Sequence, residues 1–165
     1  MTVSRPIHSD GISHHKIGGW LILFAIGIVL YPVGILISLF TELFPAFFHE
    51  NWSVLTTPGS QGYHPLWTPM LLAELIGNIF FFFFSICLVV LFFQRRKLVT
   101  KLAVLFLLSN LIFVGVDYFL TQFVLMNAVS INLDTTINLI RTGVASVIWI
   151  PYFLLSKRVK GTFIN

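Results

Sequence analysis

Four polar or charged side chains interrupt apolar stretches that are otherwise long enough to cross a membrane. They are Glu74, Asn78, Asp117 and Arg141. A charge at the centre of a membrane helix costs about 2.5 to 3.5 kcal/mol on insertion scales, so ionisable groups in spans are candidates for function. Carboxylates and a guanidinium at one depth can relay protons, bind a small charged ligand or pair with each other. This set is therefore the candidate site, an intramembrane polar cluster.

The four residues fall in one layer when their depth is counted from the polar residues that end each span. At 1.5 Å of rise per residue, Asp117 lies roughly 24 Å from the basic edge of the membrane and Arg141 roughly 22 Å. The same count puts Asn78 at roughly 24 Å and Glu74 at roughly 30 Å. The similar depth of Asp117 and Arg141 predicts an ion pair between them. Glu74 is the competing partner.

These residues also share helix faces with other polar side chains. At 100° per residue, the sets are Glu74, Asn78 and Ser85; Asn110, Asp117 and Thr121; and Arg141 and Tyr152. Such stripes are expected to face the interior of a helix bundle. One interpretation is a polar chamber in the outer half. The alternative is a layer of hydrogen bonds and salt bridges that fixes helix packing. Few polar residues fall in the inner half, so no continuous polar path is predicted.

No catalytic motif accompanies the cluster. The chain has no HExxH, GxSxG, Walker loop or CxxC pair. The histidines His8, His14 and His15 lie in a polar N-terminal stretch that offers no fixed ligand geometry. His49, beside Glu50, has no nucleophile or metal set around it. We therefore predict no enzyme activity, no catalytic residues, no cofactor and no metal site.

The composition is that of a membrane protein. It is 57% hydrophobic and 10% charged, with a mean hydropathy of +0.93, whereas a soluble domain carries roughly 25% charged residues. So few charges cannot cover a water-facing surface, and the lipid bilayer is the predicted partner. The net charge of +4 is no sign of nucleic-acid binding, because the cations lie at span ends.

Apolar runs predict an all-α bundle of four transmembrane helices at about 17–40, 70–93, 100–126 and 139–155. Each is near the roughly 20 residues that cross about 30 Å of hydrocarbon. The predicted divisions are a tail 1–16, a membrane domain 17–156 with an outer loop 41–69, and a basic tail 157–165. An apolar stripe of helical period predicts a short interfacial helix from Pro45 to Leu55. Pro32 and Pro151 lie inside spans and are candidate hinges, with packing kinks as the alternative.

The distribution of lysine and arginine predicts the orientation. Arg5 and Lys16, a loop cluster at 95–101 and a C-terminal cluster at 157–160 alternate with loops that lack both residue types. The positive-inside rule therefore puts both termini in the cytoplasm. Anionic lipids are candidate partners of the basic clusters. The residues concerned are Arg95, Arg96, Lys97, Lys157, Arg158 and Lys160.

Two stretches resemble a known family. They are WIPYFLLSKRVKGTF at 149–163 and GGWLILFAIG at 18–27, and they are similar to a bacterial membrane-protein family known as domain of unknown function 2569. The resemblance implies a multi-pass protein of the bacterial cytoplasmic (inner) membrane. It implies no reaction and no catalytic residues.

Taken together, these features favour a small accessory or scaffold protein of the inner membrane, working within a larger complex or as a homo-oligomer. The incomplete polar path is the observation behind this preference. The alternative function is a small oligomeric transporter or channel with its polar chamber in the outer half of the bundle.

Overall fold

The predicted all-α fold is confirmed. The computed structural model describes residues 18–48, 51–60, 63–125 and 133–163, and within these ranges the chain contains helices and no strand. Four of its helical segments are long and apolar enough to span a membrane. The predicted N-terminal tail, with its histidines, Arg5 and Lys16, lies outside the described residues, as do His49 and Glu50.

The helices follow one another with short connections. They are α1 (Trp20–Ser38), α2 (Phe44–Phe48), α3 (Asn51–Thr56), α4 (Trp67–Phe93), α5 (Leu98–Leu125), α6 (Leu133–Leu155) and α7 (Lys157–Thr162). A π-helical turn, Leu39–Leu43, continues α1 into α2, so the first candidate span runs from Trp20 to Phe48. The other candidate spans lie on α4, α5 and α6. Along the bundle, α1 packs on α4, α4 on α5 and α5 on α6.

The first span is longer than predicted because polar residues at its end are satisfied locally. Thr41 Oγ1 donates to the Ile37 carbonyl at 2.9 Å, and Ser38 Oγ donates to the Glu42 carboxylate at 2.8 Å. Neither polar group therefore requires the helix to end. The interfacial helix predicted from Pro45 to Leu55 corresponds to two short helices, α2 and α3, and residues 49–50 between them lie outside the described part.

Helix α6 begins at Leu133, six residues before the predicted start at Leu139. The prediction followed the apolar run alone, but a helix can begin in polar sequence. Asp134 lies in its first turn, where a carboxylate interacts favourably with the helix dipole. Pro32 and Pro151 both lie inside helices that continue past them, so their role as hinges stays a prediction.

The tightest packing lies at one end of the bundle, where the loop 94–97 and α7 are found; we call it the basic end. Seven apolar side chains are completely buried, at 0% exposure: Leu21, Leu88, Phe92, Val99, Ala103, Phe153 and Val159. They come from α1, α4, α5, α6 and α7. At this end the four spans therefore close on one another around an apolar core.

Aromatic rings make much of this contact. The ring centroid of Phe24 on α1 lies 4.5 Å from that of Phe153 on α6 and 6.0 Å from that of Phe92 on α4. These contacts join the first and last spans, which are far apart in sequence. Aromatic contacts therefore help to close the bundle at the basic end.

The C-terminal segment is part of this core. Helix α7 turns back at Ser156, which has an extended backbone, and buries Val159 and Thr162. Phe163 places its ring 5.3 Å from that of Phe92. The stretch predicted as a basic tail is therefore, over residues 157–163, a packed element with its cations exposed.

The outward faces of the spans are apolar. Among the most exposed large side chains are Leu155 at 77%, Val147 at 74% and Phe119 at 70%. Exposing an apolar surface of this size to water would be unfavourable, whereas contact with hydrocarbon carries no such free-energy cost. The helices therefore support contact with a lipid bilayer.

Candidate functional site

A hydrogen bond links α1 and α5 near the middle of the bundle. The Tyr31 hydroxyl on α1 donates to Asn110 Oδ1 on α5 at 2.9 Å. Asn110 is 8% exposed, and the Tyr31 ring meets that of Phe106 edge-on at 5.0 Å. Neither Tyr31 nor Asn110 belongs to the predicted cluster. Two features of the sequence could have indicated them. Both residues fall at a depth similar to that of the cluster, and Asn110 shares a helix face with Asp117.

Three carboxylates from three elements converge beyond this bond. Glu74 on α4 lies within electrostatic range of Asp117 on α5 and of Glu42 in the π-helical turn. Glu42 also accepts the hydrogen bond from Ser38. The structure therefore places Glu74 and Asp117, two of the four predicted residues, within electrostatic range of each other. Two negative charges would repel at this range, so their proximity does not by itself stabilise the helix packing.

Arg141 lies near Tyr31 and is hydrogen-bonded within its own helix. Its Nη2 donates to Asn138 Oδ1 at 3.2 Å, one turn earlier on α6, and the guanidinium is within electrostatic range of the Tyr31 hydroxyl. Within the described helices, neither a hydrogen bond nor an ion pair joins Arg141 to Asp117. The structure thus does not bring the predicted pair together.

The register of α5 against α6 explains the separation. Ser146 Oγ on α6 lies 3.5 Å from the Leu107 carbonyl oxygen on α5. In an antiparallel pair with this register, Asp117 is level with Thr136 rather than with Arg141. The offset is about five residues, or roughly 7 Å along the axis. Depth counted from the span ends assumed that both helices end at the same level, and that assumption fails here.

The remaining predicted residue, Asn78, is half-buried on α4, one turn from Glu74. Its neighbour Gly77 lies where α4 and α5 approach closely, because a Cβ built on Gly77 would overlap the ring of Phe113. The burial of Ser85, Asn110 and Thr121 agrees with the prediction that their stripes face the bundle interior. Arg141 is exposed and does not follow that pattern.

A cleft lies beside the carboxylates. It has a volume of about 340 Å³, opens to the surface, and is lined by Glu42, Pro45, Ala46, Val54 and Leu55. Its lining is mostly apolar with one carboxylate. Across the described ranges, no three His, Cys, Asp or Glu residues are grouped so as to hold a metal ion. A functional role of the polar cluster stays a prediction.

Comparison with known proteins gives a match to a family model. No curated protein and no solved structure matches the chain. The model of the family described as Protein of unknown function (DUF2569) matches residues 14–164, nearly the whole chain, including both stretches that carry the resemblance. The chain therefore belongs to the family of proteins of unknown function DUF2569.

Proposed function

We propose that this protein is an accessory or scaffold protein of the bacterial cytoplasmic membrane, with both termini in the cytoplasm. The observation that carries the proposal is the apolar core of the basic end. Leu88, Phe92 and Phe153 are completely buried there, and a polar route across the membrane would have to pass between them. Close packing of this kind supports a protein that acts by holding other membrane proteins rather than by conducting a solute.

The basic end also supports the proposed orientation and a contact with anionic lipids. Arg96, Lys97, Lys157, Arg158 and Lys160 are exposed and lie at the same end of the bundle. Cations near a cytoplasmic leaflet each interact with anionic lipids by about 1 kcal/mol. On this proposal the exposed faces of α7 and of the loop 94–97 lie against lipid head groups.

A second candidate is a small oligomeric transporter or channel. It is favoured by the polar groups that converge in the other half of the bundle, where Tyr31, Asn110, Glu74 and Asp117 come from three different spans. On this proposal the chamber holds a small ligand, and the basic end opens during transport.

Chemical crosslinking at native expression level, followed by pull-down through an N-terminal tag, tests the choice. The tag belongs at the N-terminus because α7 packs into the core. The accessory role predicts a larger membrane protein recovered in fixed ratio, absent from a control pull-down of an unrelated four-span protein. Recovery of homo-oligomers alone, together with solute flux in proteoliposomes, would reject the accessory role and favour the transporter.

A further inference from the structure

Arg141 is a cation on a lipid-facing surface. It is exposed on α6, and its neighbours on the same side, Ile137, Ile140 and Val144, are 60%, 61% and 54% exposed. These apolar side chains are typical of contact with acyl chains. An arginine among them must find an anionic partner or reach the membrane surface, because an unpaired charge in hydrocarbon is costly.

The chain offers the guanidinium a neutral partner. Arg141 Nη2 donates to the side-chain oxygen of Asn138 at 3.2 Å. A guanidinium has five N–H donors, so this bond orients the group without neutralising it. The Tyr31 hydroxyl nearby already donates its proton to Asn110.

Asn138 adds donors of its own. Because its Oδ1 accepts from Arg141, its amide nitrogen carries two N–H groups for a third party. The guanidinium and the amide therefore present N–H groups from two side chains one helical turn apart. A phosphate group, with several acceptor oxygens around one centre, matches a donor pair of this kind and forms strong charge-assisted bonds with arginine.

The depth of the site indicates where the phosphate comes from. Arg141 and Asn138 lie eight and five residues after Leu133, where α6 begins opposite the basic end, which is roughly 12 and 8 Å along the axis from that end of the helix. The long arginine side chain can extend toward that end. The head groups of the leaflet opposite the basic end are therefore within reach, and acyl chains would lie along the exposed isoleucines and Val144.

We infer that Arg141 and Asn138 form a binding site for the phosphate group of a phospholipid in the leaflet opposite the basic end. This site is separate from the basic clusters at 95–97 and 157–160. It also does not depend on the accessory role, since a scaffold and a transporter could both hold such a lipid. The Asn138 bond fixes the guanidinium before the lipid arrives, which distinguishes a site from an arginine that samples bulk head groups.

Photo-crosslinking in a neutral detergent tests the site. The probe is phosphatidylglycerol with a diazirine on its acyl chain, and adducts are mapped by mass spectrometry of peptides. We expect adducts at Ile137, Ile140 or Val144 in the wild-type protein. Arg141→Gln should lower them about tenfold, which corresponds to the loss of about 1.4 kcal/mol, as for a charge-assisted hydrogen bond.

Matched variants separate this site from the basic end and from misfolding. Arg96→Gln removes an exposed cation at the basic end and should leave the α6 adducts unchanged. Arg141→Lys retains the charge and should restore part of the signal. A size-exclusion profile like that of the wild type, required of each variant, shows that a lost adduct does not reflect unfolding.

Competition identifies the chemistry of the ligand. Unlabelled phosphatidylglycerol and phosphatidylcholine, which both carry phosphate, should reduce the adducts, whereas diacylglycerol should not. Equal adducts in wild type and Arg141→Gln, or equal competition by diacylglycerol, would overturn the inference. Competition by inorganic phosphate as strong as that by phospholipid would assign the site to a free anion and overturn the lipid as its source.

Discussion

At the scale of single residues, Gly77 sets the distance between α4 and α5. A Cβ at this position would overlap the ring of Phe113, so the two helices approach as closely as the ring allows. Gly77→Ala should therefore force the ring or the helix to move. Overpacking of this kind costs about 1 to 3 kcal/mol, and we expect a lower melting temperature of the detergent-solubilised protein.

Gly115→Ala is the matched control for this prediction. Gly115 lies on α5, and a Cβ there meets nothing within 4 Å. Alanine inside a helix is more favourable than glycine by about 0.5 to 1 kcal/mol, so this variant should melt at or slightly above the wild-type temperature. Equal losses for both variants would show that the Phe113 contact is not the cause of the loss in Gly77→Ala.

The relation between Asp117 and Arg141 gives the second residue-scale prediction. The register offsets Asp117 and Arg141 along the helix axis by about five residues, and Arg141 is hydrogen-bonded to Asn138. Substitutions at sites that share no partner usually add within about 0.3 to 0.5 kcal/mol. Asp117→Asn and Arg141→Gln should therefore have additive effects on the free energy of unfolding in detergent. A double variant that costs clearly less than the sum would restore the ion pair predicted from depth.

At the scale of elements, α7 and Phe163 cover the basic end. Phe163 is 4% exposed, and its ring packs on that of Phe92. Phe163→Ala removes a buried ring and should destabilise the protein by about 3 kcal/mol, the lower end of the range for such changes. Phe119→Ala is the control, because that ring is 70% exposed to lipid and its loss leaves no cavity. Similar losses of melting temperature in the two variants would show that α7 contributes little.

The sequence predicted the spans better than their ends. Hydropathy finds α4 and α5 within a few residues, because lipid requires a minimum apolar length. It does not find the continuation of α1 past Thr41 or the early start of α6, where side chains and the helix dipole satisfy polar groups that hydropathy counts as loop. It also misses the packing of α7. A helix of six residues is too short to show a helical pattern that would distinguish it from a solvated tail.

The polar cluster could be predicted only in part for a related reason. Residues that share a face can be read from helical period, and the burial of Asn110 and Ser85 agrees. Which helix lies opposite, and at which level, depends on register. The 3.5 Å approach of Ser146 Oγ to the Leu107 carbonyl oxygen, which marks the register of α5 and α6, involves a backbone atom and leaves no trace in the residue types.

At the scale of the whole molecule, the orientation in the membrane is a prediction based on the exposed cations at the basic end. Alkaline phosphatase, which is active only outside the cytoplasm, should be active when fused after Ser60 and inactive when fused after Lys97. The physical reason is the bias of lysine and arginine toward cytoplasmic loops. The reverse pattern of activity would invert the bundle and place the Arg141 site toward the cytoplasm.

The central claim is that the basic end stays closed by apolar packing, so that water reaches the polar half only. A Cys87→Ser background allows single cysteines to report access by a charged maleimide in native membranes. Ser85→Cys and Ala103→Cys replace small side chains that are 0% exposed, and Ser60→Cys is a partly exposed reference in the loop between α3 and α4. We predict that the reagent labels Ser60→Cys in native membranes and labels the two buried positions only after denaturation. Labelling of Ala103→Cys in native membranes at a rate close to that of Ser60→Cys would contradict the account.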